Sequence, residues 1–63
     1  MYTARMKRRE LETRLRALGW TLVRHGGKHD VWSNADGTKS EYVPRHNEVN
    51  ELVAKAILKS AGE

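Results

Sequence analysis

Residues 20–33 read WTLVRHGGKHDVWS: two short runs of strand-forming residues on either side of a glycine pair. The first run, 20–25 (WTLVRH), is rich in β-branched and aromatic side chains, and 28–33 (KHDVWS) reads as the strand that returns beside it. Gly26-Gly27 predicts a two-residue hairpin loop, because glycine tolerates the positive φ that such turns require. Downstream, Asn34-Ala35-Asp36-Gly37 is a second turn signal and 38–43 (TKSEYV) a third strand. Pro44 has no amide proton to donate, so this strand must end there or lie on an edge.

Helical periodicity brackets this β region on both sides. Over 7–18, Leu11, Leu15 and Leu18 recur at i, i+4 and i+7, and Gly19 follows as a C-terminal stop. After the third strand, Val49, Leu52, Val53, Ala56, Ile57 and Ser60 fall on one helical face. Asn47 is placed to cap that helix, Glu48 and Glu51 lie near its positive end, and Lys55 and Lys59 lie near its negative end. The expected order is α-β-β-β-α: an α+β fold with a three-stranded antiparallel sheet, two helices on one of its faces and the other face open. Residues 1–63 read as a single domain, with 1–5 a flexible extension and 6–62 the core.

With 63 residues there is little interior, since a chain of this size buries only about 60% of the surface it exposes when unfolded. A deep cofactor cleft is therefore excluded, and a site must be shallow and act on a large substrate that brings its own binding surface. No cysteine is present to form a disulfide or a thiolate metal site. No apolar run approaches the ~18 residues of a membrane span, so the expectation is a soluble, cytoplasmic protein with no membrane partner. The net charge of +4 is uneven: residues 1–25 carry +5 and residues 26–63 carry −1. A basic face this concentrated attracts polyanions through counterion release, although a merely solvated helix face has the same composition.

Three histidines are candidates for chemistry. His25 and His29 flank the glycine pair and His46 follows Arg45, a spacing that matches no metal signature, so no metal or cofactor is expected. No G-x-S-x-G elbow or phosphate-cradling glycine loop before a helix is present. In GGKH (26–29), Lys28 and His29 lie beside two amides unshielded by side chains. Bare amides and an ammonium can hold phosphate oxygens while an imidazole, titrating near neutrality, handles a proton. RNA carries its own nucleophile in the 2′-hydroxyl, so such a site need only move protons and neutralise charge. The plainer alternative, an exposed or hydrogen-bonded strand histidine, stays open at this point, and more strongly so for His25. His46 would at most help Arg45 at a backbone phosphate. Trp20, Trp32 and Tyr42 could stack on bases, but large aromatics in so small a chain are more often core.

The runs MKRREL (6–11), LGW (18–20), GGKH (26–29), DG (36–37), VPRH (43–46) and AKAILKSAG (54–62), in this order, resemble the HicA toxins of type II toxin–antitoxin systems. The resemblance covers residues 6–62. It implies a double-stranded-RNA-binding-domain-like fold and ribosome-independent cleavage of mRNA. It also implies a catalytic histidine at His29, with Gly27 in the same motif, and a start at Met6. The implied partner is a HicB-like antitoxin that covers the active site and binds operator DNA. RNA contacts are expected at Gly27, Lys28, Lys7, Arg8, Arg9 and Arg45. Glu48 and Glu51 stand where ordinary duplex-reading modules place lysines, which argues against a long-duplex reader. A non-catalytic RNA-binding module and a structural adaptor for an acidic protein are the competing expectations.

Overall fold

The chain, described over residues 4–63 by a computed structural model, runs β1 (Arg5–Lys7), α1 (Arg8–Ala17), β2 (Thr21–His25), β3 (His29–Ser33), β4 (Ser40–Pro44), β5 (Glu48–Asn50) and α2 (Glu51–Ser60). β2, β3 and β4 form one antiparallel sheet in that order, so the α+β class and the meander are as expected. Pro44 closes β4, which is an edge strand, where a missing amide donor costs no ladder bond.

Helix α1 forms where the leucine stripe predicts it. Leu11 and Leu15 are fully buried and Leu18 packs against the core. Gly19, at φ 88°, ends the helix: its amide donates to Arg16 and that of Trp20 to Leu15, a Schellman arrangement that satisfies two of the last carbonyls. The same device closes α2, where Gly62 (φ 108°) donates to Lys59 and Glu63 to Leu58. The core lies between the helices and one face of the sheet: α1 contributes Leu11 and Leu15, α2 contributes Ala54, Ile57 and Leu58, and the sheet contributes Trp32 and Val43. Trp20 seals the end where both helices stop, and its Nε1 donates to the Ala61 carbonyl at 3.0 Å. Arg16 lies over the Trp32 ring, 5.1 Å from its centre. Among the described residues, no helix is long and apolar enough to cross a membrane.

Three expectations need correction. First, residues 5–7 and 48–50 form a second, two-stranded antiparallel sheet, pairing Arg5 with Asn50, Met6 with Val49 and Lys7 with Glu48. The segment expected to be a loose extension is therefore held at Arg5, and the Ala4 carbonyl accepts from the Glu51 amide; residues 1–3 lie outside the described residues. Second, because Glu48–Asn50 is strand, α2 starts later. The cap is Asn50, whose side chain accepts from the Leu52 amide at 2.8 Å, and not Asn47. Third, the buried face of α2 is Ala54, Ile57 and Leu58, with Ala61 beside it, whereas Leu52 (76% exposed), Val53, Ala56 and Ser60 face outward. The segment carries two overlapping stripes with the same i, i+3, i+4, i+7 spacing, and pairing with β1 decides which one turns inward.

The second turn is held by side chains. Gly37 takes φ 76° and donates to the Asn34 carbonyl, while Asp36 Oδ1 accepts from the Thr38 hydroxyl (2.7 Å) and amide (3.0 Å). These bonds favour the ionised carboxylate and hold Asp36 below the ordinary carboxylate range, the Thr38 hydroxyl contributing most.

Two measurements check this account. Leu15→Ala leaves a void in a core with little redundancy and should cost about 2–5 kcal/mol in chemical denaturation, most of what a domain of this size possesses. A depressed folded-state pKa stabilises above the ordinary carboxylate value and is lost as pH falls through the lowered one. The stability gap between the native chain and Asp36→Asn should therefore be present near neutrality and close on acidification.

Candidate active site at the first hairpin

Side chains alternate across a pleated strand, so burial of Trp32 and Asp30 on the helix side of β3 turns His29, Val31 and Ser33 to the opposite, open face. Cross-strand partners share a face, so the open face also receives Arg24 and Tyr42 opposite Val31, and Pro44 opposite His29. Alternation along β2 is interrupted: pairing shifts between Leu22 and Arg24, leaving Val23 as an extra, exposed residue. That bulge puts Leu22 and His25 on the helix side and Arg24 on the open side.

Around His29 these residues form a shallow depression of ≈ 250 Å³ lined by Arg24, Gly26, Gly27, Lys28, His29, Val31 and Tyr42. Neither glycine of the loop has positive φ, which corrects the turn chemistry expected for Gly26-Gly27. Gly26 is needed for another reason. Its amide donates to the His29 carbonyl at 2.8 Å, and a Cβ at this position would lie 2.6 Å from that oxygen. Gly27 has open space around it, so its backbone is accessible. Among the described residues neither Arg24 nor Lys28 is spent in an ion pair. The depression thus offers an exposed imidazole, bare backbone and two cations on one wall-less surface, which suits a polyanion and not a small molecule.

The reverse side of the same hairpin holds a constellation that the sequence reading did not identify. Asp30 is only 3% exposed, and its Oδ1 lies 2.8 Å from His25 Nδ1 and 3.4 Å from Arg45 Nε. A buried carboxylate needs such partners, because desolvating an unpaired one is expensive. Arg45 also donates to the Gly26 carbonyl at 3.4 Å, and its amide donates to Lys28 at 3.3 Å. The sequence did hold a clue: an acidic residue two positions before a core tryptophan in a strand must face inward and recruit cations.

The predicted site residues accordingly divide. Gly27, Lys28 and His29 are together. The Arg45 guanidinium is turned to Asp30, on the other side of the hairpin. Lys7, Arg8 and Arg9 line a separate depression of ≈ 280 Å³ with Asn47 and Glu48. There Arg8 is already engaged, donating to the Arg45 carbonyl at 2.8 Å with Nε 3.7 Å from Glu12. His46 lies in a third depression, with Arg5, Asn47, Glu48 and Asn50. Arg24 was absent from the expected RNA-binding set and Tyr42 stood only as a possible base-stacking residue, with a core position preferred for it; the β-bulge that brings Arg24 into line has no signature in the residues themselves. Among the described residues no three histidine or carboxylate groups are grouped so as to hold a metal ion.

Compared with known proteins, residues 8–63 match the family model described as the HicA toxin of bacterial toxin-antitoxin. No curated protein and no solved structure matches the chain.

If Asp30 braces the hairpin, Asp30→Asn should lower stability by roughly 1.5–3 kcal/mol, the range for hydrogen bonds to a charged group. Amide hydrogen exchange should also accelerate at Gly26 and Arg45, whose amides close the loop. Unchanged exchange at both positions would show that the carboxylate does not hold the loop in place.

Proposed function

Because the chain belongs to the HicA toxin family of bacterial toxin–antitoxin systems, we propose that it is an endoribonuclease that cleaves mRNA independently of the ribosome through His29. A HicB-like antitoxin keeps it inactive by covering the hairpin, and the pair reaches operator DNA through the antitoxin. The observation that carries this reading is the setting of His29: exposed, on the open sheet face, in a depression shared with Gly27, Lys28 and Arg24.

The chemistry follows from what each group can do. The backbone at Gly27 and the Lys28 and Arg24 cations bind the phosphodiester and offset the charge that develops on its oxygens. The ribose 2′-hydroxyl attacks the adjacent phosphorus, and the 5′-oxygen of the next nucleotide leaves. His29 transfers a proton in this exchange, so the protein supplies neither a nucleophile nor a metal. A positioned acid or base of this kind contributes about 10²–10⁴-fold, adequate for a toxin that need not turn over rapidly. Lys7 and Arg9, exposed at the start of α1, extend the positive surface for the rest of the transcript.

Purified chain should cut labelled mRNA with a chelator present, and His29→Ala should reduce the rate by about 10²–10⁴-fold while remaining folded. Expression of the native chain without its antitoxin should arrest growth, and the His29→Ala chain should not. Soluble His29→Ala protein that is equally toxic would remove the histidine from the mechanism. RNA that is bound in a salt-dependent way but left intact at high protein excess would identify a non-catalytic binding module instead.

A further inference from the structure

Among the three aromatic residues of the described chain, Trp20 and Trp32 are sealed in the core, and only Tyr42 is open, at 64% exposure. It stands on the sheet face away from both helices, directly opposite Val31, with Arg24 opposite Val31 on the other flank. Val31 is only 8% exposed although it is not part of the helix-side core, so its cover comes from its neighbours in this row. Arg24, Val31 and Tyr42 therefore make a short apolar floor with a flat ring at one end and a cation at the other. Strands are spaced ~4.8 Å apart, so the row is about 10 Å wide, enough for a base.

The position of this row relative to His29 gives it meaning. Val31 follows His29 by two residues on the same face, a displacement of about 7 Å along β3. That is the reach of one nucleotide. A phosphodiester held at Lys28 and His29 thus places a flanking nucleobase over Val31 and against Tyr42, with Arg24 beside the next phosphate. Resting on the endoribonuclease reading above, we propose that Tyr42, with Val31 as floor and Arg24 as counter-charge, is a nucleobase-stacking subsite that seats one unpaired nucleotide next to the cleaved linkage. It selects for single-stranded RNA, because a base inside a duplex has no free face to offer a ring. The acidic approach to α2 is consistent with this: Glu48 in β5 is exposed, and Glu51 opens the helix where a duplex reader needs cations.

The test uses the full chain carrying His29→Ala, so that binding is read without cleavage, and a short fluorescein-labelled single-stranded RNA as probe. Tyr42→Ala should weaken binding by about 5–150-fold, the loss of one base stack, and Tyr42→Phe should bind nearly as the parent does. Tyr42→Leu keeps an apolar cover on Val31 without a flat π-face, and it should behave like Tyr42→Ala. One abasic nucleotide beside the cleaved linkage should weaken binding to the Tyr42 protein by a similar factor and add nothing to Tyr42→Ala. The subsite is overturned if Tyr42→Leu binds like the parent, if the abasic loss persists in Tyr42→Ala, or if a duplex of the same sequence binds equally well. These outcomes are separable from the nuclease reading. Intact RNA from the native chain with the same binding ratios refutes cleavage and leaves the subsite standing. Cleavage with unchanged Tyr42→Leu binding does the reverse.

Discussion

The pleat of β3 governs the rest of the structure. Trp32 is the largest side chain fully enclosed by the core, and turning it out to water would forfeit the apolar burial of a whole indole. Once Trp32 points at the helices, period two leaves no freedom: Asp30 goes in with it, and His29 and Val31 go out. A slip of one residue would expose the tryptophan and bury the histidine, so the orientation of His29 is maintained by an interaction on the other side of the sheet.

Burying Asp30 brings a cost that the fold offsets locally. Its carboxylate gathers His25 from the end of β2 and Arg45 from the segment after β4. Arg45 reaches on to the Gly26 carbonyl, and Arg8 from the start of α1 reaches the Arg45 carbonyl. Four segments distant in sequence are thereby tied behind a loop of two glycines that could otherwise move freely. Rigid support beneath an exposed loop is what the proposed proton transfer by His29 requires, since a misplacement of about an ångström can cost two orders of magnitude in rate. His25 and Arg45 on the buried side and Lys28 and His29 on the open side are therefore not interchangeable, although all four gather around one hairpin loop.

Helix α2 shows the opposite case, where the local pattern is ambiguous. Its outward face keeps Leu52 and Val53, while Ala54, Ile57 and Leu58 go in. Both stripes have helical spacing. The choice rests on three residues, Glu48–Asn50, that pair with Arg5–Lys7 from the far end of the chain and delay the helix to Glu51. Short strands of this kind carry no periodicity long enough to read, and their partner lies more than forty residues away.

Local rules were enough wherever the physics was local. The leucine stripe of α1, the glycines that end both helices, the edge position of Pro44 and the three-stranded meander all follow from spacing, φ preference and amide chemistry within a few residues. Long-range pairing decided the remainder. It added the β1–β5 sheet, turned α2, pointed Arg45 inward at a carboxylate, used a bulge at Val23 to bring Arg24 beside His29, and used the β3–β4 register to bring Tyr42 there. These features depend on which residues become neighbours only after the chain has closed, and a lone sequence carries no term for that.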